Sequence, residues 1–244
     1  MYDDLANIHY TPIRIYKYAS FFEDIQYNGK TLSDVERGDY LRIIDETIAD
    51  YAEALSFYRE ELERIRESKG AYYELDREIL SMSLFVTITM IDSMVASKYF
   101  IMADKDYDRR FMRGKLYVII NEGFKKLYGF NKETYKKSEW DRLLPWMNRF
   151  PESINLQYQE VTYYLEKHAQ TSSWWRDERN YETHLLAKEL YDSRQEDLIE
   201  SKVMIDSMKL FRTLMAVNSF MSNVHACLRN ALVEKYLRGE LKDE

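Results

Sequence analysis

The chain has 244 residues, enough for one large domain or two small ones with a substantial buried core. Seven glycines and three prolines leave few sites for hairpins, and the 32% of charged residues run in short mixed groups, so the composition excludes a disordered chain and favours helices. A net charge of −7 argues against a DNA-coating protein, and the single Cys227 excludes an internal disulfide and a cysteine zinc site.

The first thirty residues are rich in aromatics, contain Pro12 and read as a non-helical arm, with Asn28 and Gly29 as a turn. Ser33 and Glu36 form a capping-box pattern, and Tyr40, Ile43, Ile44, Ile48, Tyr51, Leu55 and Tyr58 keep one apolar face, predicting a helix to about Ser68 that Gly70 ends. A second helix is predicted over 71–103, with the most apolar middle of the chain. Asp104 to Asp108 is a charged break. A third helix runs from Arg109 to Tyr128 and stops at Gly129. Ser138 and Asp141 cap a short helix with Trp140, Leu143 and Leu144, which Pro145 bends or ends. Pro151 starts a helix to about His168. "QTSS" is a linker, and a helix over 174–191 follows. Ser193 and Glu196 form another capping box before a last helix over 195–237, with a bend near Asn218 and Ser219.

The expectation is an all-α bundle of long, mostly antiparallel helices. The arm occupies 1–32 and a single helical domain occupies 33–244. The start, "MYDDLANIHYTP", lacks the basic region and apolar run of a secretory signal. The stretch Ile79–Ser97 holds Asp92 and several Ser and Thr, too polar for a membrane span. A cytoplasmic protein with no membrane contact is expected. No glycine-rich phosphate loop, Glu-x-x-His pair or zincin motif occurs, so no cofactor and no metal is expected.

"RDERNYETH", residues 176 to 184, carries the densest chemistry. On a helix, Asn180 and His184 lie four apart and share a face. Arg179 is about 140° from His184 around the axis, and its long side chain reaches the same pocket where the helix starts near it; Arg176, about 80° away, is a competing partner. A guanidinium stabilises charge developing on phosphoryl oxygens, and an imidazole passes protons near neutral pH. RNA supplies its own 2′-hydroxyl nucleophile, so such a set suits metal-free RNA cleavage. Spacing alone more often marks a solvated helix start with a satisfied histidine.

Arg179-Asn180-x-x-x-His184, late in an all-helical chain, resembles the signature of the HEPN superfamily. The resemblance covers the motif and a helical core of roughly 79–234. It implies a metal-independent endoribonuclease, of the kind found in toxin, phage-defence or RNA-processing systems. Arg179 and His184 would be catalytic, supported by Asn180, in a homodimer that brings two motifs to one cleft. Leu186 stands where some members carry a modifiable tyrosine, and Asp177, Glu178, Glu182 and Glu189 surround the motif with acid. A non-catalytic protein-interaction or regulatory bundle is the alternative.

Compensating base is expected from residues 105–137, where Arg109, Arg110, Arg113, Lys115, Lys125 and Lys126 are interleaved with Tyr107, Tyr117, Tyr128 and Tyr135. Such a strip holds single-stranded RNA by charge and stacking, or is an ordinary solvated face. Asp92, the only charge between Ile79 and Ser97, is expected to be buried and paired, either holding Arg179 or His184 or serving structure alone; Glu122 is a second candidate for that task. Asn218, Ser222 and His225 share a face of the last helix and either line a polar pocket near the motif or sit satisfied in the core.

Overall fold

A computed structural model describes residues 34–147, 150–171, 175, 179 and 196–237. The described elements are α1 (Asp34–Arg64), α2 (Ala71–Met102), α3 (Asp106–Leu127), α4 (Lys132–Tyr135), a 3-10 turn (Asp141–Leu143), α5 (Leu144–Met147), α6 (Glu152–Thr171) and α7 (Glu196–Leu237). No strand occurs among the described residues, and the fold is the expected all-α bundle. The arm at 1–32 and both Ser capping boxes fall wholly or partly outside the described residues.

The apolar stripe of α1 works as its spacing dictates. Ile44, Thr47, Tyr51, Ala54 and Tyr58 are buried, each three or four residues from the next. They face α2, which runs antiparallel: Lys98 Nζ meets Asp45 Oδ1 at 2.6 Å near one end. At the other end, Arg77 Nη1 donates to the carbonyls of Ile65 (3.1 Å) and Ser68 (2.8 Å). Gly70 does not end α1. It precedes α2 as its N-cap, at φ 116°, a left-handed backbone that favours glycine.

α2 is the centre of the bundle, packed against α1, α3 and α7. Small residues let α7 approach it: Ser207 Oγ lies 3.1 Å from Ser93 Oγ and 3.3 Å from Ser97 Oγ. α2 is long and apolar enough to cross a membrane, although most of that stretch is buried inside the fold.

α3 comes close to α2 at Gly123. A Cβ there would lie 2.8 Å from Thr89 Cγ2. Thr89 cannot swing aside freely, because it is β-branched and its hydroxyl donates to the Phe85 carbonyl at 2.9 Å. Gly123→Ala is therefore expected to destabilise the fold by about 1–3 kcal/mol in a urea titration. A loss below ~0.5 kcal/mol would mean that the helices separate at little cost.

α3 stops at Gly129 as expected. Tyr128 and Gly129 N–H groups both donate to the Phe124 carbonyl, and Gly129 has φ 85°. The following turn α4 was not foreseen. Asn131 accepts from the backbone of Glu133 and Thr134, and Thr134 Oγ1 accepts from Asn131 N, closing a capping box. The Ser138 cap exists, since its hydroxyl accepts from Asp141 N at 3.2 Å. Pro145 sits inside α5 instead of ending it, because a first-turn residue needs no N–H partner. α7 is one unbroken helix through Asn218 and Ser219. α6 is held to the rest by Trp140, which stacks on Tyr158 (4.9 Å, 6°) and donates to Thr162 Oγ1 at 2.9 Å.

Candidate functional site

Of the quoted motif, Trp175 just before it and Arg179 within it are described, both helical. Arg176, Asn180 and His184 lie outside the described residues.

Trp175 is fully buried. Its ring meets Phe124 edge-on at 5.6 Å and Phe130 at 6.5 Å, and His168 lies 5.0 Å away. His168 also packs 5.0 Å from Phe124. Burial in this apolar cage, with Lys209 nearby, pulls the His168 imidazole down to about 4. The Trp175 indole N–H lies near the buried Asp206 carboxylate without closing a well-formed hydrogen bond. Burial pushes Asp206 up to about 6, against the attraction of Lys209, whose Nζ is 3.6 Å from Oδ1.

Arg179 makes an ion pair with Glu122 of α3 through Nη1 and Oε1. The same carboxylate oxygen accepts from Asn121 Nδ2 at 2.9 Å, and Lys125 Nζ stands 4.0 Å from Oε2. Glu122 thus takes the task for which Asp92 was the first candidate. Asp92 is neither buried nor paired. It is exposed, with no hydrogen-bond or ion-pair partner among the described residues, and it lines a groove between α2 and α3 together with Glu122. Partial burial by the groove raises its carboxyl above the usual range.

The basic segment divides. Lys115, Lys125 and Lys126 are exposed on α3, and Lys115 sits 5.2 Å above the ring of Phe111, itself 62% exposed. Lys115 is seven residues before Glu122, two helical turns along the same face. Lys126 covers Phe85 at 4.9 Å. Arg110 is half-buried. Arg109 is turned to structure: its Nε donates to the Ala103 carbonyl at 2.9 Å, capping the end of α2. Arg113 is buried, which removes it from the exposed strip. Of the interleaved tyrosines, Tyr107 is exposed and Tyr117 fully buried.

His225 belongs to a charged network on α2 and α7. Its Nε2 accepts from Arg229 Nε at 3.0 Å and lies 3.5 Å from Asp76 Oδ1. Arg229 Nη2 also reaches Glu61 Oε2 (2.7 Å) and Asp76 Oδ2 (3.2 Å). Gly123 against Thr89 marks the level of Glu122 on α2. Asp76 is thirteen residues below Thr89, roughly 20 Å of helix. Burial pushes the Asp76 carboxyl up despite Arg229, and burial with Arg229 pulls His225 down to about 4. Burial raises Glu61 too, but Arg64 and Arg229 outweigh it and hold it below the usual range. The Ser222 hydroxyl is satisfied locally, donating to the Asn218 main-chain carbonyl at 3.0 Å, whereas the buried Asn218 Oδ1 has no hydrogen-bond partner among the described residues.

Sequence reading missed both the Asp206–Trp175 anchor and the Asp76–Arg229 network. The signal of the second was present: Asp76 follows Tyr72 and precedes Ile79 and Ser83 on one stripe, so an acid lies on a core face. Among the described residues no cluster of His, Cys, Asp or Glu suits a metal ion. No protein-family model, no curated protein and no solved structure matches the chain.

Proposed function

We propose that the chain is a HEPN-like, metal-independent endoribonuclease acting as a homodimer. Arg179 stabilises the phosphoryl transition state, His184 is the general acid or base and Asn180 orients it. The 2′-hydroxyl attacks phosphorus, and the bond to the 5′-oxygen breaks with a proton delivered to the leaving oxygen. The products are a 2′,3′-cyclic phosphate and a 5′-hydroxyl. One observation carries this reading: Arg179 rests on the exposed face of α3 that also bears Lys115, Lys125, Lys126 and Phe111. That arrangement puts base beside a motif whose own neighbours are acidic. Glu122 is a positioning residue, aligning the guanidinium.

The test is incubation of pure protein with mixed RNA in EDTA. Wild type is expected to cleave and leave cyclic-phosphate ends. His184→Ala and Arg179→Ala are each expected to lose about 100-fold or more in rate. Cleavage by both wild type and His184→Ala, or by neither, overturns the assignment. Glu122→Gln is expected to slow cleavage mainly through kcat, and rescue by Glu122→Asp separates positioning from folding. Light scattering should give twice the 29.5 kDa chain mass; a monomer at micromolar concentration overturns the dimer.

A second reading, a non-catalytic protein-interaction module, is favoured by a different observation. α6 exposes Leu156 and Tyr163, seven residues apart on one face, at 52% and 69%. Under that reading no RNA is cut by any form.

A further inference from the structure

The groove between α2 and α3 encloses about 540 Å³, within the range of small-molecule sites. Its walls are apolar: Phe85 and Ile88 from α2, Val118 and Ile119 from α3. The charges on its rim are largely engaged with one another. Glu122 holds Arg179; Arg142 holds Glu78 at 2.7 Å and Glu139 at 2.9 Å; Lys126 lies over Phe85. Asp92 is the exception, a carboxylate on the groove with no partner among the described residues. Apolar walls beside it strip part of its water, so an incoming positive charge gains more there than on an open surface.

We propose that this groove binds a small organic cation, its protonated nitrogen on Asp92 and its apolar body between Phe85, Ile88, Val118 and Ile119. Charge fixes the sign. Glu122, Glu139 and Arg142 are ion-paired and Lys126 lies over Phe85, so Asp92 is the one groove charge without a partner among the described residues, and it favours a cation. The volume, about 540 Å³, is that of a small-molecule site and leaves room for more than a single ring. The groove shares Glu122 with the ribonuclease reading, but its ligand is held by Asp92, so its test does not depend on RNA cleavage.

The experiment is calorimetric titration of the full chain with benzamidinium and with its neutral counterpart, benzamide. One benzamidinium site is expected, with benzamide about tenfold weaker or worse. Asp92→Asn is expected to reduce benzamidinium affinity about tenfold and leave benzamide unchanged. Val118→Trp, which fills the groove, is expected to abolish both. Melting curves check that each variant is folded. Equal benzamidinium affinity in wild type and Asp92→Asn overturns the proposal, as does the absence of binding at millimolar benzamidinium. Tighter binding of an arginine-containing peptide than of benzamidinium also overturns it, by assigning the groove to a protein side chain.

Discussion

Replacing Arg229 by alanine is expected to destabilise the protein by about 3–5 kcal/mol, the largest single effect outside the apolar core. Arg229 is the shared cation for Glu61 at 2.7 Å and Asp76 at 3.2 Å, and it donates to His225 at 3.0 Å. Asp76 is 1% exposed. Without the guanidinium its carboxylate loses its positive neighbour and cannot reach water. Urea unfolding at pH 7.5 measures the loss. Arg229→Ala combined with Asp76→Asn should recover part of it, because an amide tolerates burial better than an unpaired carboxylate. A loss below ~1 kcal/mol, or no recovery in the double variant, would show that Arg229 does not neutralise Asp76.

The second large effect is a pH dependence made of opposed parts. His168 and His225 are both pulled from 6.5 to about 4 in the folded state. Their folded pKa is depressed, so their contribution is present above pH 6.5 and is lost as pH falls towards 4. Each amounts to about 3 kcal/mol at most. Asp206 works in the other direction. Its folded pKa is raised from 3.8 to about 6, so its contribution is full below pH 3.8 and is lost as pH rises through 6. That change is also up to about 3 kcal/mol. Asp76, likewise raised, adds in the same sense as Asp206.

Two variants separate the parts. Asp206→Asn is expected to gain stability over wild type at pH 8 and to lose that gain by pH 4, so its acid sensitivity is steeper. His168→Phe keeps a ring between Phe124 and Trp175 and is expected to flatten the acid loss. Denaturant titrations at pH 4, 5, 6, 7 and 8 read both. Parallel curves for wild type and Asp206→Asn would sink the assignment of a raised Asp206 pKa.

The long helices were legible because their apolar spacing is regular, as in the α1 stripe from Ile44 to Tyr58. Chain breaks at Gly129 and Pro151 were legible for the same local reason: glycine permits φ 85° and proline lacks an N–H. α4 was not, because its box pairs Asn131 with a threonine, Thr134, where a glutamate is the usual signal. The site was harder. Asp92 stood out as the only acid in an apolar run, and that run suggested burial. A central helix nevertheless keeps one open side, and Asp92 is on it, whereas Asp76 and Asp206 are on buried sides. Hydropathy along a helix reports how much surface is covered, not which neighbour covers it. For the same reason the sequence groups Arg113 with the basic strip, although its side chain is buried.

The bond between Arg229 and Glu61 joins residues 168 positions apart. Its consequence is vectorial. During synthesis α1 and α2 leave the ribosome as a hairpin well before α7 is made. Until Arg229 emerges, Asp76 has no cation of its own from α7, and the faces of α2 and α3 that α7 will cover remain open. The hairpin therefore stays hydrated around Asp76 and sticky along α2, a nascent state suited to chaperone capture. Shortening the chain before α7 is not a route to a smaller stable domain. It arrests the molecule at that stage, with its central helix exposed to every other nascent chain nearby.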